Sequence, residues 1–83
     1  MTLWELAQHQ RAIVDKFLST IDPKYVQRLQ DLGLHAGEEV RCVRRSFLAG
    51  PRVYQVGGNF VALEKYLAKN ITVVRASLVE ADA

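Results

Sequence analysis

DPKYVQRLQDLGLHAG, residues 22–37, is the stretch that decides the fold. Asp22 suits an N-cap, its carboxylate accepting from the free N–H of Tyr25. Pro23 at the first helical position loses no hydrogen bond and already holds a helical φ. Tyr25, Leu29 and Leu32 recur at spacings of four and three, on one face that Val26 widens. Lys24, Gln27, Arg28, Gln30 and Asp31 cover the remainder. Gly33 supplies a left-handed C′ residue, and Leu34 beyond it can fold back onto the last turn. The spacing predicts one amphipathic helix of about three turns, too short to stand without an apolar surface beneath it.

The flanking chain supplies that surface as strands. Upstream, QRAIVDKFL (10–18) alternates Ile13, Asp15 and Phe17 against Ala12, Val14 and Lys16. Downstream, HAGEE is a turn built on Gly37, and residues 40–47 read as a second strand. Its alternation breaks at Cys42 and Val43, as in a bulge or a barrel strand that serves two faces. Leu48-Ala49-Gly50-Pro51 is a hairpin loop, 52–56 a third strand and 60–63 a fourth. Gly57-Gly58-Asn59 between them suits the positive φ of a tight hairpin. Residues 64–69 make one helical turn stopped at Asn70, and 71–74 a fifth strand. At the start, Thr2 and Glu5 form a capping box around a single turn whose Leu3, Trp4 and Leu6 plug the barrel mouth. The expectation is a mainly β fold: a small five-stranded barrel with one α-helix inserted after strand 1, its open end covered by Tyr25, Leu29 and Leu32. Residues 1–76 form a single domain and 77–83 a frayed C-terminal tail.

At 83 residues, 49 % of them hydrophobic, the chain can build one small core. A net charge of +2 is too small to indicate nucleic acid. One cysteine excludes an intramolecular disulfide and favours a reducing, cytoplasmic setting. The N-terminus lacks the basic start and apolar run of a signal peptide. No apolar stretch reaches the roughly 20 residues a bilayer requires, so direct membrane insertion is not expected.

Catalytic chemistry is not indicated. Ser19, Ser46 and Ser77 lack a His partner, and Gly57-Gly58 lacks the Lys of a phosphate loop. Cys42, mid-strand, reads as a buried small hydrophobe. His35 with Glu38 and Glu39 could pick up an exposed divalent metal; the reading preferred is solvated turn residues, and no metal site or cofactor is assigned. The one charge feature is the cluster Arg41, Arg44, Arg45 and Arg52. It reads either as a charged edge strand that discourages edge pairing, or as a docking patch for an acidic surface.

The ordered series Gln10-Arg11-Ala12, Phe17, Asp22-Pro23-x-Tyr25, Arg28-Leu29-Gln30-Asp31-Leu32-Gly33-Leu34, Gly37, Val43-Arg44-Arg45, Pro51 and Val61-Ala62-Leu63 resembles the FeoA family of bacterial ferrous iron uptake. It departs from the family at Ala36, where Pro is common, at Ala49-Gly50 in the hairpin, and at Gln8-His9-Gln10 in place of Pro-Gly-Gln. The resemblance implies an SH3-like barrel and a non-enzymatic accessory role. It also implies a partner, the membrane transporter FeoB, a GTPase and iron permease with a cytoplasmic GTP-binding part. Self-association would be weak. The residues expected to bind the partner are Arg44, Arg45, Phe47, Leu48 and Arg52, with Lys24 and Arg28 of the helix as a second surface. Arg52 is the candidate for an arginine lent to the GTPase. Alternatives are an SH3-like domain of the kind found in metal-responsive regulators, using His35 and Glu38, and a small RNA-binding barrel.

Overall fold

Regular alternation forms the strands, and two interruptions of it shape the sheet. The computed structural model describes residues 1–46, 48 and 50–76; Phe47 and the tail expected over 77–83 lie outside the described residues. The strands are β1 (Arg11–Phe17), β2 (Glu39–Arg44), β3 (Arg52–Val56), β4 (Asn59–Leu63) and β5 (Ile71–Arg75). They join in one antiparallel sheet of order β4-β3-β2-β1-β5. Among the described residues the sheet does not close into a hydrogen-bonded barrel: β4 and β5 are its two edges. The core is contributed by all five strands, with Ala12, Val14, Val40, Cys42, Tyr54, Val56, Val61, Leu63, Ile71 and Val73 buried together.

In β1 the buried residues are Ala12 and Val14, and strict alternation would bring Lys16 inside next. A bulge between Val14 and Lys16 shifts the register against β5, so Lys16 stays exposed and Phe17 packs on the core. In β2 the same happens after Val40 and Cys42. The register against β3 shifts between Cys42 and Arg44, leaving Arg44 outside. The break at Cys42-Val43 is therefore a bulge, and β2 ends at Arg44 rather than continuing to 47. β3 has no such shift, and Arg52, Tyr54 and Val56 all face the core.

The helix α1 (Pro23–Asp31) follows β1 as expected, with two local differences. The Asp22 carboxylate accepts from the N–H of Lys24 (3.1 Å), one residue earlier than Tyr25. Only Leu29 of the helix is fully buried. Tyr25 and Val26 are half-buried, and Leu32, at the C-cap, is 37 % exposed. Leu32 therefore does not serve in the lid; Leu34 is the buried residue at that end. The chain leaves the helix through a Schellman turn: the N–H of Leu34 bonds Leu29 O (3.0 Å) and that of Gly33 bonds Gln30 O (2.9 Å). Gly33 is required twice there. Its φ is +107°, and an added Cβ would lie 3.1 Å from Val56 Cγ1.

A 3₁₀ turn at Leu3–Glu5 opens the chain, with the N–H of Thr2 donating to Glu5 (3.0 Å) and Leu3 and Leu6 fully buried. His9 takes the left-handed φ of 71° that glycine fills more readily. A second short helix, α2 (Lys65–Ala68), carries the chain from β4 across to β5.

Candidate functional site

The arginine cluster is divided by the fold. β2 lies between β1 and β3, so its arginines do not guard a sheet edge. Arg41, Arg44 and Arg45 are exposed. Among the described residues neither Arg44 nor Arg45 takes part in an ion pair. Leu48, beyond them in the β2–β3 hairpin, is 81 % exposed at φ 68°, a backbone region costly for a side-chain-bearing residue. Two basic side chains and one solvent-facing leucine thus stand on a single connection. The hairpin is held at its neck by the Ser46 hydroxyl, which donates to Pro51 O.

Arg52 is not part of that surface. It is 7 % exposed, its guanidinium lies 3.6 Å from the Trp4 ring centroid, and Nη1 donates to Trp4 O. Its Nε is buried without a partner. An arginine held this way cannot be lent to another protein's phosphate, so the role expected for Arg52 in partner binding and catalysis is withdrawn. A signal for this exists in the sequence: Arg52 is in phase with Tyr54 and Val56, both plainly core-type residues. Trp4, its stacking partner, is distant in sequence and carries no such signal.

Beside Arg52 the Tyr54 hydroxyl donates to Leu3 O (3.2 Å). Burial pushes the Tyr54 phenol from 10.0 up to about 12; Cys42 adds to the rise, and Arg52 and Arg45 oppose it. Burial also raises the Cys42 thiol, against the pull of Arg52 and Arg45. A fully buried thiol kept protonated is inert, in agreement with its reading as a small hydrophobe.

The second expected surface, on α1, has Lys24 and Arg28 exposed one turn apart. Lys24 is engaged locally, 3.8 Å from Asp22 and 5.2 Å from the Tyr25 ring centroid. Arg28 borders a cleft of about 220 Å³ with Tyr25, Leu29, Glu64, Tyr66 and Leu67. Tyr66 and Asn70 make contacts that no local sequence pattern signals. The Tyr66 hydroxyl accepts from the N–H of Asp22 (2.9 Å), and its ring meets Tyr25 edge-on at 6.1 Å. Asn70, 2 % exposed, donates through Nδ2 to Tyr66 O (2.6 Å) and is hydrogen-bonded to the Thr20 hydroxyl. These contacts fasten α2 to the start of α1.

His35 and Glu38 are exposed, and Glu38 and Glu39 border an open cleft of about 320 Å³ with Arg11, Arg41, Gln55 and Gly57. Among the described residues no three His, Cys, Asp or Glu side chains converge as metal ligands. Among them, too, no helix is long and apolar enough to cross a membrane.

The family model of the FeoA domain matches residues 1–75. The chain belongs to the FeoA domain family. Solved structures agree. The solution structure of FeoA from Chlorobium tepidum is 30 % identical with a TM-score of 0.84, covering 92 % of this FeoA domain chain and 70 % of that one. The crystal structure of Stenotrophomonas maltophilia FeoA complexed with zinc is 36 % identical with a TM-score of 0.76, covering 88 % of each chain. That relative is described as a prokaryotic SH3 domain protein and a candidate activating factor of bacterial ferrous iron transport. A manganese-dependent transcriptional repressor is 23 % identical with a TM-score of 0.80. It covers 90 % of the FeoA domain chain and 41 % of its own, a likeness of fold. Among curated proteins no relative matches.

Proposed function

We propose that this protein is an accessory regulator of bacterial ferrous iron uptake that docks on the cytoplasmic GTP-binding part of a FeoB-like membrane transporter. Membership of the FeoA domain family supports the process. The observation that carries the docking mode is the β2–β3 hairpin. Arg44 is exported from the sheet by the β2 bulge, Arg45 just beyond the strand is exposed as well, and the same hairpin carries the 81 % exposed Leu48. Arginine and apolar anchors carry most of the energy of typical protein interfaces. A basic patch also accelerates encounter with an acidic surface. Lys24 and Arg28 on α1 form the secondary contact. Regulation follows if the domain binds one nucleotide state of the GTPase better than the other, since a ligand shifts an equilibrium only by its differential affinity.

The test is calorimetric titration of the full chain into the isolated cytoplasmic domain of the transporter, loaded in turn with GDP and a non-hydrolysable GTP analogue. The reading predicts saturable binding at least about 5-fold tighter to one nucleotide state. Absence of binding to both states would overturn it.

A further inference from the structure

The two edges of the sheet are finished differently. At β5 the N-terminal residues cover the edge: Thr2 bridges Thr72, and the N–H of Val73 bonds Met1 O (2.8 Å). At β4 the only strand neighbour among the described residues is β3. Natural proteins blunt such an edge with charge, proline or a bulge. β4, Asn59-Phe60-Val61-Ala62-Leu63, has neither charge nor proline, and its register with β3 is unbroken. Phe60, on the outward face, is 64 % exposed.

The hairpin geometry fixes which backbone groups point to the open side. Gly57 and Gly58 form a two-residue loop, with φ +59° at Gly57, so Val56 and Asn59 are the pair that exchanges backbone bonds. Bonded and non-bonded pairs then alternate along β4. Asn59, Val61 and Leu63 bond to β3, and Phe60 and Ala62 aim their N–H and C=O at the open edge. That pattern is self-complementary. A two-fold axis normal to the sheet, midway between the Val61 residues of two copies, sets Phe60 opposite Ala62 of the second copy and Ala62 opposite Phe60. Both then exchange backbone bonds, and the large ring of Phe60 faces a small side chain. Asn59 falls opposite Leu63, and Glu64 opposite Gly58, so no like charges meet.

We infer that the β4 edge is a self-association surface, at which two copies of this chain pair antiparallel through Phe60 and Ala62 to continue the sheet. Such a contact is smaller than the roughly 1,200 Å² of stable interfaces, which makes the dimer weak, with Kd on the order of 0.1–1 mM. It leaves the arginine hairpin free and stands independently of the transporter reading.

The experiment is sedimentation equilibrium of the full chain from about 50 μM to about 2 mM, spanning the expected Kd. It is paired with amide hydrogen exchange at the two ends of that range. Wild type should pass from monomer toward dimer, with Phe60 and Ala62 amides slowing about 3-fold or more while Val61, already bonded to β3, does not change. Ala62→Lys should remain folded by circular dichroism and monomeric throughout. A wild type monomeric at the highest concentration overturns the inference, as does association that survives Ala62→Lys. If Ala62→Lys does not fold, the wild-type exchange map decides: slowing placed on β5 or α1 instead of β4 is equally fatal.

Discussion

β2 and β3 are neighbours in the sheet, and each carries an arginine two residues from a buried core residue. Arg44 follows Cys42; Arg52 precedes Tyr54. The two end in opposite places. A bulge between Cys42 and Arg44 turns the first arginine into solvent. β3 runs without interruption and delivers the second onto the core face, against Trp4. β1 behaves like β2, with a bulge that keeps Lys16 out. The lesson is that side-chain type does not assign a residue to interior or surface in a small sheet. Register does, and a single inserted residue changes the answer.

Shifting the register of β3 tests this most severely. Deleting Val53 puts Arg52 opposite Arg44 on the outer face, away from Trp4, and draws Pro51 toward the core. The expected loss is several kcal/mol, on the order of the whole stability of a domain this size, so circular dichroism should show an unfolded chain. A folded deletion variant of near wild-type Tm would contradict the register argument. Next in size, Arg52→Ala removes the stack on Trp4 and opens a cavity beside Tyr54, at a cost of about 2–4 kcal/mol by denaturant unfolding. Arg52→Met should recover most of that loss, because packing matters more than the charge of a group whose Nε is unpaired. Equal destabilisation by both would assign the role to charge.

The same interior predicts alkaline sensitivity. Unfolded, Tyr54 loses its proton near 10.0; folded, it holds it to about 12. Between these values deprotonation favours the unfolded chain. The stability Tyr54 contributes is whole below pH 10 and is lost as pH rises through 12, about 2–3 kcal/mol in all. Cys42, raised from 9.0, acts in the same direction. Tyr54→Phe should flatten that part of the stability–pH curve. The smallest stability effect belongs to the outward side. Leu48→Gly relieves a left-handed backbone and should stabilise by about 1 kcal/mol, while weakening docking on the transporter. Parallel gains in stability and affinity would remove Leu48 from the interface.

Much of the architecture can be read from local code. Asp22-Pro23 starts α1, Gly33 ends it through a positive φ, and Gly57-Gly58 closes the β3–β4 hairpin. The buried helix face ends short of Leu32, because the chain leaves the helix there and Leu34 fills the core instead. Charge alone groups Arg52 with the arginine surface, whereas its alternation with Tyr54 and Val56 sets it inward. The contacts made by Trp4, Tyr66 and Asn70 join segments tens of residues apart, which no local pattern encodes.

The central claim is that the exported arginines, not the buried one, meet the transporter. The direct measurement is titration of its cytoplasmic GTP-binding domain with three folded proteins: wild type, Arg44→Glu/Arg45→Glu and Lys24→Glu/Arg28→Glu. The hairpin variant should keep its stability within about 0.5 kcal/mol of wild type, as exposed substitutions do. Its affinity should fall by roughly 30-fold or more, the loss of a pair of interface anchors. The helix variant should lose less. Wild-type affinity in the Arg44→Glu/Arg45→Glu protein would contradict the account.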